Sequence, residues 1–358
     1  MRENGNAEGE TRNAAANRPW LPGAVTCVSA GANEKEGLQG ERPMREFAKV
    51  SLGLFPTPLY RLPGVSARLG TNVWIKRDDL CGVALGGNKV RKLEYLLADA
   101  RAKGFELVMT TGQAQSNHAM LTAACARKLG MKPVLVLKKR GVCARRGNQV
   151  LNYLMDVDVR FVDTDSYDDI YREMDRIAEA LGQPAYKIPC GGSNALGSIG
   201  YVDCMREVAE SGVDFSAVVC ACGSGGTAAG VALGAALHMP GTRVIAAMVD
   251  TDPFDVIVPE LMRESAHLLD VQAELPAPEF VNLCGPGYSI PSEEGNAAIR
   301  LMLQSEGIVL DPCYTGKAFA GLVRLAREGR FGPTDNVLFI HTGGAGGLFA
   351  PDWERENA

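Results

Sequence analysis

The sequence is poor in histidine, and it lacks both paired cysteines and long apolar runs. Its four histidines lie far apart, and none of its ten cysteines belongs to a Cys-x-x-Cys pair. Because zinc sites draw on closely spaced cysteine and histidine ligands, we expect no bound metal. No apolar run is long enough to cross a bilayer, so we expect no membrane contact. The net charge of −5 gives no reason to expect nucleic acid as a partner.

The cysteines are scattered, and several lie in apolar helix or strand contexts. Examples are Cys125, Cys204, Cys220 and Cys222. Thiols in such contexts are typical of small core residues in a reduced compartment, whereas disulfide frameworks are typical of small secreted domains. We therefore expect free thiols and a cytoplasmic location.

The beginning of the chain differs from the rest. Residues 1–44 are rich in Asn, Gly, Glu and Ala and show almost no apolar periodicity. Such a composition buries too little surface to offset its ordering entropy, so we predict a disordered N-terminal extension. It resembles neither a secretory signal nor a transit peptide, and Met44 is a second candidate start. The 358 residues leave room for about two domains after it.

Apolar strands alternate with amphipathic helices from there almost to the end of the chain. The pattern predicts strands at residues 72–76, 106–110, 133–137, 159–162, 216–220, 244–248 and 336–340, and helices at 117–129, 168–181, 197–211 and 316–328. Short, nearly all-apolar strands between helices indicate an α/β fold with parallel sheets covered on both faces. Ligands of such folds bind beyond the carboxyl ends of strands, so the strand-to-helix turns are candidate sites.

The first such turn, residues 86–89, reads Gly-Gly-Asn-Lys. Its glycines allow a tight bend and leave room for a flat group beside Lys89. An amine at such a turn can form a Schiff base once it is shielded from water and has lost its proton. The alternative is an ordinary solvated lysine at a helix start.

The second turn, residues 110–118, leads into the predicted helix at 117–129. Ser116 or Asn117 can serve simply as a helix N-cap. The same position also presents a hydroxyl, an amide and free backbone N–H groups, which suit a carboxylate or phenolate ligand. Both interpretations stay open at this point.

The third turn, residues 222–230, is rich in glycine and follows a predicted strand. Small residues let consecutive backbone N–H groups converge on one anion at a helix N-terminus, and phosphate is the natural guest. The spacing matches neither the Walker nor the dinucleotide-binding pattern, because no lysine follows the glycines. The alternative is a glycine turn needed only for close packing.

The remaining signals are a fourth glycine turn and two tyrosines. Residues 340–347 again lead from a strand into glycines, while Tyr288 and Tyr314 each lie in a Pro/Gly-rich turn at a helix start. A phenol there can donate a proton or simply pack. A lysine on a glycine turn, an anion cradle, a Ser-Asn pair and two tyrosines together indicate pyridoxal 5'-phosphate, a phosphorylated aldehyde cofactor held by a lysine.

Long motifs in the same order resemble the D-cysteine desulfhydrase and 1-aminocyclopropane-1-carboxylate deaminase family of pyridoxal-phosphate enzymes. They occupy residues 56–59, 74–79, 86–94, 115–118, 188–197, 223–227 and 341–344, and the resemblance spans residues 55–349. It implies the tryptophan-synthase-β-like fold, fold type II, with two open, twisted, mostly parallel sheets covered by helices. We expect a large cofactor-binding domain from residues 45–91 and 202–358, a small α/β domain from 92–201, and a homodimer.

The resemblance also implies roles for single residues. Lys89 resembles the Schiff-base lysine and the base that removes the substrate Cα proton. Ser116 resembles a ligand of the substrate carboxylate that can also assist proton transfer. Tyr288 and Tyr314 match tyrosines that face the substrate and are implied to be catalytic. The implied substrate-binding residues are Ser116, Asn117, His118 and Tyr288. The implied cofactor-binding residues are Lys89, Asn117 at the ring hydroxyl, Gly223, Ser224, Gly225, Gly226 and Thr227 at the phosphate, and Thr315 at the pyridine nitrogen.

Thr315 favours one reaction within the family. The cyclopropane deaminases carry a glutamate there, and a neutral threonine holds a protonated pyridine less well, which weakens the ring as an electron sink. Prompt loss of a good β-leaving group suits that weaker sink. We therefore expect β-elimination from D-cysteine or a related small amino acid to pyruvate, ammonia and sulfide. The alternatives are L-cysteate sulfo-lyase, cyclopropane deamination and a non-catalytic amino-acid-binding protein on the same fold.

Two departures from the family pattern leave the substrate and its D or L form open. Met120 stands where the relatives carry an arginine, and residues 344–348 read Gly-Ala-Gly-Gly-Leu in place of Gly-x-x-Ala-Leu. The lost arginine alters either substrate choice or only a structural ion pair.

Overall fold

The computed structural model describes residues 44–350, so the extension predicted at residues 1–44 lies, apart from Met44, outside the described residues. This part of the chain contains ten strands: β1 (Leu59–Arg61), β2 (Asn72–Arg77), β3 (Leu107–Gln113), β4 (Lys132–Lys138), β5 (Asp158–Val162), β6 (Ala185–Ile188), β7 (Ala217–Cys222), β8 (Arg243–Met248), β9 (Glu279–Asn282) and β10 (Asn336–His341).

The strands form two sheets. Six of them pair in the order β1-β2-β10-β7-β8-β9, and every neighbouring pair is parallel except β1 and β2. The other four pair in the order β5-β4-β3-β6, all parallel. The predicted α/β fold with two mostly parallel sheets is confirmed. The domain boundaries at residues 91/92 and 201/202 stay a prediction.

Eleven α-helices cover these sheets within residues 44–350: α1 (Pro63–Leu69), α2 (Lys89–Ala102), α3 (Asn117–Lys128), α4 (Asn148–Leu154), α5 (Tyr167–Ala180), α6 (Ala195–Ala209), α7 (Gly226–His238), α8 (Phe254–Leu268), α9 (Glu293–Glu306), α10 (Thr315–Arg327) and α11 (Ala345–Leu348). Helix α6 packs against α2, α7 and α8 and so links the two sheets. No helix in this range is long and apolar enough to cross a membrane.

The predicted strands and helices are present, and their ends shift by no more than a few residues. The sequence pattern did not predict three of the strands, β1, β6 and β9. All three lie at sheet edges and have only three or four residues, most of them partly exposed. A short edge strand needs little apolar side-chain surface, so its sequence carries a weak pattern. The central strand β7, in contrast, is buried along its whole length.

The cysteines confirm their expected packing role. Cys125, Cys204, Cys220 and Cys222 are free thiols buried in the apolar cores. Burial raises the pKa of the Cys222 thiol to about 12, so it stays protonated near neutral pH.

Candidate active site

One cavity of about 420 Å³ lies where strands from both sheets end. Gln113 at the end of β3, Ala221 in β7 and Thr342 directly after β10 belong to its wall. Ten of the predicted site residues also line it: Lys89, Ser116, Asn117, His118, Gly223, Ser224, Gly225, Thr227, Tyr288 and Tyr314. Gly226 and Thr315 do not line it. The fold thus brings together residues that are up to 225 positions apart, from Lys89 to Tyr314.

The turn before Lys89 requires its two glycines. Gly86 and Gly87 have φ angles of 70° and 135°. A Cβ atom on Gly86 would lie 1.7 Å from the carbonyl oxygen of Asp79, so a larger residue would displace the turn. The backbone N–H of Asn88 donates to the carbonyl of Thr342 at 3.1 Å. This hydrogen bond connects the lysine turn to the glycine turn after β10.

Lys89 is the first residue of α2, and its side chain is partly buried in the cavity wall. Within residues 44–350, its ammonium has no hydrogen-bond or ion-pair partner. Burial without an anion penalises the charged form and lowers the pKa of Lys89 to about 8. A lysine amine that loses its proton so readily can act as a nucleophile or a base. This is not the environment of a solvated surface lysine.

A second lysine, Lys92, lies one helical turn beyond Lys89 and was missed by the sequence analysis. It is fully buried, and its ammonium donates to the carbonyl of Gly191 and the hydroxyl of Ser193, both at 3.1 Å. Burial, with the nearby Lys89 charge, holds its pKa well below the usual value. Its i, i+3 spacing from Lys89 was the available signal, because such residues share one helix face.

The glycine turn between β7 and α7 has the backbone geometry that the predicted anion cradle requires. Gly225 has a φ angle of 82° and caps the N-terminus of α7. Ser224 shares a hydrogen bond of 2.9 Å with Ser193, and Thr227 accepts one of 2.9 Å from the side chain of Asn88. A Cβ atom on Gly226 would lie 2.8 Å from the Lys92 side-chain nitrogen. The Lys92 nitrogen therefore packs directly against the glycine turn.

These residues fit a phosphate group. The helix N-terminus supplies backbone N–H groups and a favourable dipole, the serines and threonine supply hydroxyl donors, and Lys92 supplies a positive charge. The buried Lys92 lacks an anionic partner among the described residues, which is the condition that a bound phosphate would satisfy. Lys89, in the same cavity, is the amine that an aldehyde requires.

The turn at the start of α3 serves as an N-cap and also lines the cavity. The Ser116 hydroxyl oxygen accepts a hydrogen bond of 3.1 Å from the Ala119 N–H, so its own O–H proton stays available. The Asn117 side-chain oxygen accepts from Asn148 at 2.7 Å, which leaves its NH₂ group to donate elsewhere. His118 is buried, and burial holds its pKa well below the usual value, so it is neutral.

Tyr288 and Tyr314 form a pair in the cavity wall. Their hydroxyl groups share a hydrogen bond, and their rings pack edge to face with centroids 5.9 Å apart. Burial raises the pKa of both phenols well above the usual value, so both are protonated. A protonated phenol at this place is a proton donor, and the pair also lines a neighbouring cavity of about 270 Å³.

Thr315 and Thr342 differ in whether their hydroxyl groups are free to bind a ligand. Thr315 is fully buried, donates to the Asp311 carboxylate at 2.6 Å and accepts from the Asp311 N–H at 2.8 Å. Thr342 lines the cavity, and its hydroxyl has no hydrogen-bond partner within residues 44–350. Contact between Thr315 and the pyridine nitrogen stays a prediction. The sequence analysis missed Thr342, although it singled out the turn that contains it.

Met120 does not line the cavity described above. It is 1% exposed and packs in an apolar core that includes Val90 and Leu93 of α2. The residue that replaces the expected arginine is therefore part of the apolar core and not of the cavity wall.

Comparisons with known proteins agree with this geometry. The model of a family described as "Pyridoxal-phosphate dependent enzyme" matches residues 50–343. A D-cysteine desulfhydrase of Klebsiella pneumoniae is 42% identical over 320 residues, which cover 86% of this chain and 97% of the relative. A provisionally named 1-aminocyclopropane-1-carboxylate deaminase of Pyrococcus horikoshii is 41% identical over 312 residues, with coverage of 86% and 94%.

Solved structures show the same relation. The crystal structure of a 1-aminocyclopropane-1-carboxylate deaminase homologue is 41% identical, covers 85% of this chain and 94% of its own, and has a TM-score of 0.80. Threonine deaminase from Solanum lycopersicum is 20% identical with a TM-score of 0.60, which shows a shared fold alone. The chain is thus an enzyme of fold type II whose cofactor is pyridoxal 5'-phosphate, and it belongs to the pyridoxal-phosphate dependent family that includes D-cysteine desulfhydrases and 1-aminocyclopropane-1-carboxylate deaminases.

Proposed function

We propose that this enzyme catalyses β-elimination from a small β-substituted amino acid, with D-cysteine as the first candidate and pyruvate, ammonia and sulfide as products. Relatives named D-cysteine desulfhydrase are 40–42% identical over most of the chain, and they support this substrate. The observation that carries the reaction type is the pairing, in one cavity, of Lys89 with a pKa of about 8 and two protonated tyrosines.

Four groups of residues hold the cofactor in this proposal. Lys89 binds its aldehyde, Lys92 and the turn from Gly223 to Thr227 bind its phosphate, and the NH₂ group of Asn117 meets its ring hydroxyl. Thr315 or Thr342 meets the ring nitrogen. When bound, pyridoxal phosphate carries the substrate amine and withdraws electrons from the Cα–H bond.

Lys89 would act as the base at the substrate Cα once the substrate amine has taken its place at the aldehyde and its own amine is free. Its pKa of about 8 leaves about a tenth of the side chains neutral at pH 7, far more than for a lysine of ordinary pKa. A neutral amine can take the Cα proton, whereas an ammonium cannot. The electron pair of the broken Cα–H bond then expels the β-substituent.

Ser116 and the tyrosine pair act on the other parts of the substrate. The Ser116 oxygen already accepts from Ala119, so its O–H proton can be donated to the substrate carboxylate. Burial keeps both phenols protonated before the reaction. Tyr288 or Tyr314 donates its phenol proton to the departing thiolate and regains a proton from the Lys89 ammonium, which carries the one taken from Cα. The released aminoacrylate takes up water and yields pyruvate and ammonia.

The principal alternative is cyclopropane deamination, which the names of two similar proteins favour. Both candidates for the ring nitrogen, Thr315 and Thr342, are neutral, which favours elimination over a reaction that needs a strong electron sink. L-Cysteate sulfo-lyase would differ in releasing sulfite.

A substrate panel tests the proposal. We expect keto acid and sulfide from D-cysteine at a kcat/KM at least about tenfold above that for L-cysteine, L-cysteate or aminocyclopropane carboxylate. Release of 2-oxobutyrate or sulfite at the highest rate would replace the proposal with the corresponding alternative. Protein that binds the cofactor but turns over no member of the panel would favour a binding function instead.

We further propose a cytoplasmic homodimer with the domain division given above. The exposed apolar residues Val150, Tyr153 and Leu154 share one face of α4, because Tyr153 and Leu154 follow Val150 by three and four residues, and they support a subunit contact there. Measurement of the solution mass tests the dimer, and a monomer at micromolar concentration would contradict it.

A further inference from the structure

The loop that carries Tyr288 has few interactions of its own to hold it. We call residues 284–290, between β9 and α9, the tyrosine loop. Gly285, Gly287 and Ser289 all have positive φ angles. Its internal backbone hydrogen bonds are long, 3.4 Å from the Gly287 N–H to the Cys284 carbonyl and 3.3 Å from the Ile290 N–H to the Gly287 carbonyl. Its conformation therefore depends on contacts with other elements.

Lys317 of α10 provides such a contact. Its side chain is 1% exposed, and its ammonium donates to the carbonyl of Cys284 at 2.6 Å and that of Gly287 at 2.8 Å. Within residues 44–350 it forms no ion pair. A buried charge is unfavourable unless hydrogen bonds satisfy it. The two carbonyls therefore stabilise the buried Lys317 ammonium.

The same lysine relates the two tyrosines to each other. The Gly287 carbonyl belongs to the peptide group that contains the Tyr288 nitrogen. Lys317 therefore forms a hydrogen bond to the backbone directly beside Tyr288. Tyr314 is the N-cap of the same helix, three residues before Lys317. One rigid helix start thus carries Tyr314 and holds the loop that carries Tyr288.

We infer that Lys317 is a positioning residue, which holds the tyrosine loop so that the Tyr288 hydroxyl meets that of Tyr314 at the cavity. The inference rests on the proposed function for the role of the two tyrosines. The placement of the loop by Lys317 is testable without turnover.

Hydrogen exchange of the cofactor-loaded enzyme tests the placement. Lys317→Met keeps the length of the side chain but removes both donors. We expect exchange across residues 284–290 to accelerate about tenfold or more, while β7 and β10 keep their protection. Lys128→Met is the matched control, because Lys128 also donates to a backbone carbonyl, that of Leu52 at 2.6 Å, away from the cavity. Unchanged exchange in the tyrosine loop would overturn the inference.

A double-mutant cycle tests whether Lys317 acts through Tyr288. We expect Lys317→Met to lower kcat about tenfold to a hundredfold in the wild-type background, with a smaller change in KM, because the proton donor is misplaced. In the Tyr288→Phe background the same change should lower kcat less than about twofold. Equal losses in both backgrounds would show a merely structural role and would contradict the inference.

Two further variants complete the design. Lys317→Arg retains donors for both carbonyls and should restore loop protection and at least about half of kcat. Lys317→Leu, which also lacks a donor, replaces the methionine variant if that protein does not fold, with the same expected results. A wild-type enzyme that turns over no member of the substrate panel would refute the proposed function, and the exchange measurement would still decide the placement by Lys317.

Discussion

Helix α2 carries buried cations on two faces, and their surroundings differ. Lys89 and Lys92 lie on the cavity side, where no carboxylate pairs with either among the described residues. Arg91, between them in sequence, forms hydrogen-bonded ion pairs with Asp78 at 2.9 Å and Glu207 at 2.7 Å. We call these two surfaces the unpaired face and the paired face of α2.

The paired face holds the lysine turn in place. Asp78 is fully buried, and besides Arg91 it accepts hydrogen bonds from Thr57 at 2.8 Å and Tyr201 at 2.6 Å. Its backbone carbonyl also accepts from the Gly87 N–H at 2.9 Å. The ion-pair network is thereby connected directly to the turn that presents Lys89.

The ion pairs of the paired face contribute to the stability of the fold, whereas the lysines of the unpaired face are available for binding and proton transfer. Anionic partners raise the pKa of Arg91 well above the usual value and fix its charge. On the unpaired face, burial lowers the pKa of both lysines, so that face favours either an anionic guest or the loss of a proton. Removal of a cation should therefore have different consequences on the two faces.

The largest expected effect is that of Lys89→Ala. Without the amine that we propose to bind the aldehyde and take the Cα proton, we expect no measurable keto-acid release, a loss of at least about 10⁴-fold, and no visible absorption band of lysine-bound cofactor. Lys103→Ala, at the exposed end of α2, is the control and should retain both. Survival of turnover and of the band in Lys89→Ala would refute the role of the lysine.

Next in size is the effect of Arg91→Met on stability. It leaves the fully buried Asp78 without its cation, whereas Glu207 keeps an ion pair with the buried Lys76 at 2.7 Å. Because an unpaired buried carboxylate is strongly unfavourable, we expect the free energy of unfolding to fall by about 3–5 kcal/mol. Guanidinium unfolding of the cofactor-free protein measures this. The control, Arg206→Met, removes an exposed ion pair with Asp203 and should change stability by about 1 kcal/mol or less. Similar losses for both variants would contradict the stabilising role of the buried ion pairs on the paired face.

Lys92→Met should affect cofactor binding more than stability. We expect pyridoxal phosphate to bind about tenfold to a hundredfold more weakly, because the phosphate loses a buried charged donor. The unfolding free energy of the cofactor-free protein should change by less than about 1 kcal/mol, since two hydrogen bonds and an unfavourable buried charge are removed together. Equilibrium titration and unfolding measure the two quantities. Unchanged cofactor affinity would contradict the phosphate role of Lys92.

The smallest expected effect is the pH dependence of kcat. Because the pKa of Lys89 is lowered to about 8, its amine is mostly protonated below that pH and mostly neutral above it. We therefore expect kcat to rise about tenfold from pH 7 to pH 9 and then to level off. Rates measured with D-cysteine across this range would show the rise. A flat profile would mean that another group accepts the Cα proton.

Much of the site was predictable because its chemistry lies in contiguous segments. The Lys89 turn, the anion cradle from Gly223 to Thr227 and the Ser116 cap each combine glycine or capping residues with a following helix, and such patterns are local. The strand and helix pattern likewise predicted the two parallel sheets. The edge strands β1, β6 and β9 escaped because short, partly exposed strands carry little periodic signal.

Other residues could not be found in this way. Thr342 and Lys317 acquire their places through contacts with segments far away in the sequence. Met120 stood where an arginine was expected, and only its burial in the apolar core showed that it does not touch the cavity.

The sequence by itself determined the lysine turn, the glycine turn from Gly223 to Thr227 and the family, because backbone conformation at glycines and caps follows from the nearest residues. Only the tertiary structure decided which cations lack a partner. Lys89, Arg91 and Lys92 lie within four consecutive residues, yet their pKa values move in opposite directions. The pKa of a buried cation depends on the charges that the fold places within a few ångströms, and Asp78 and Glu207 reach Arg91 from other elements.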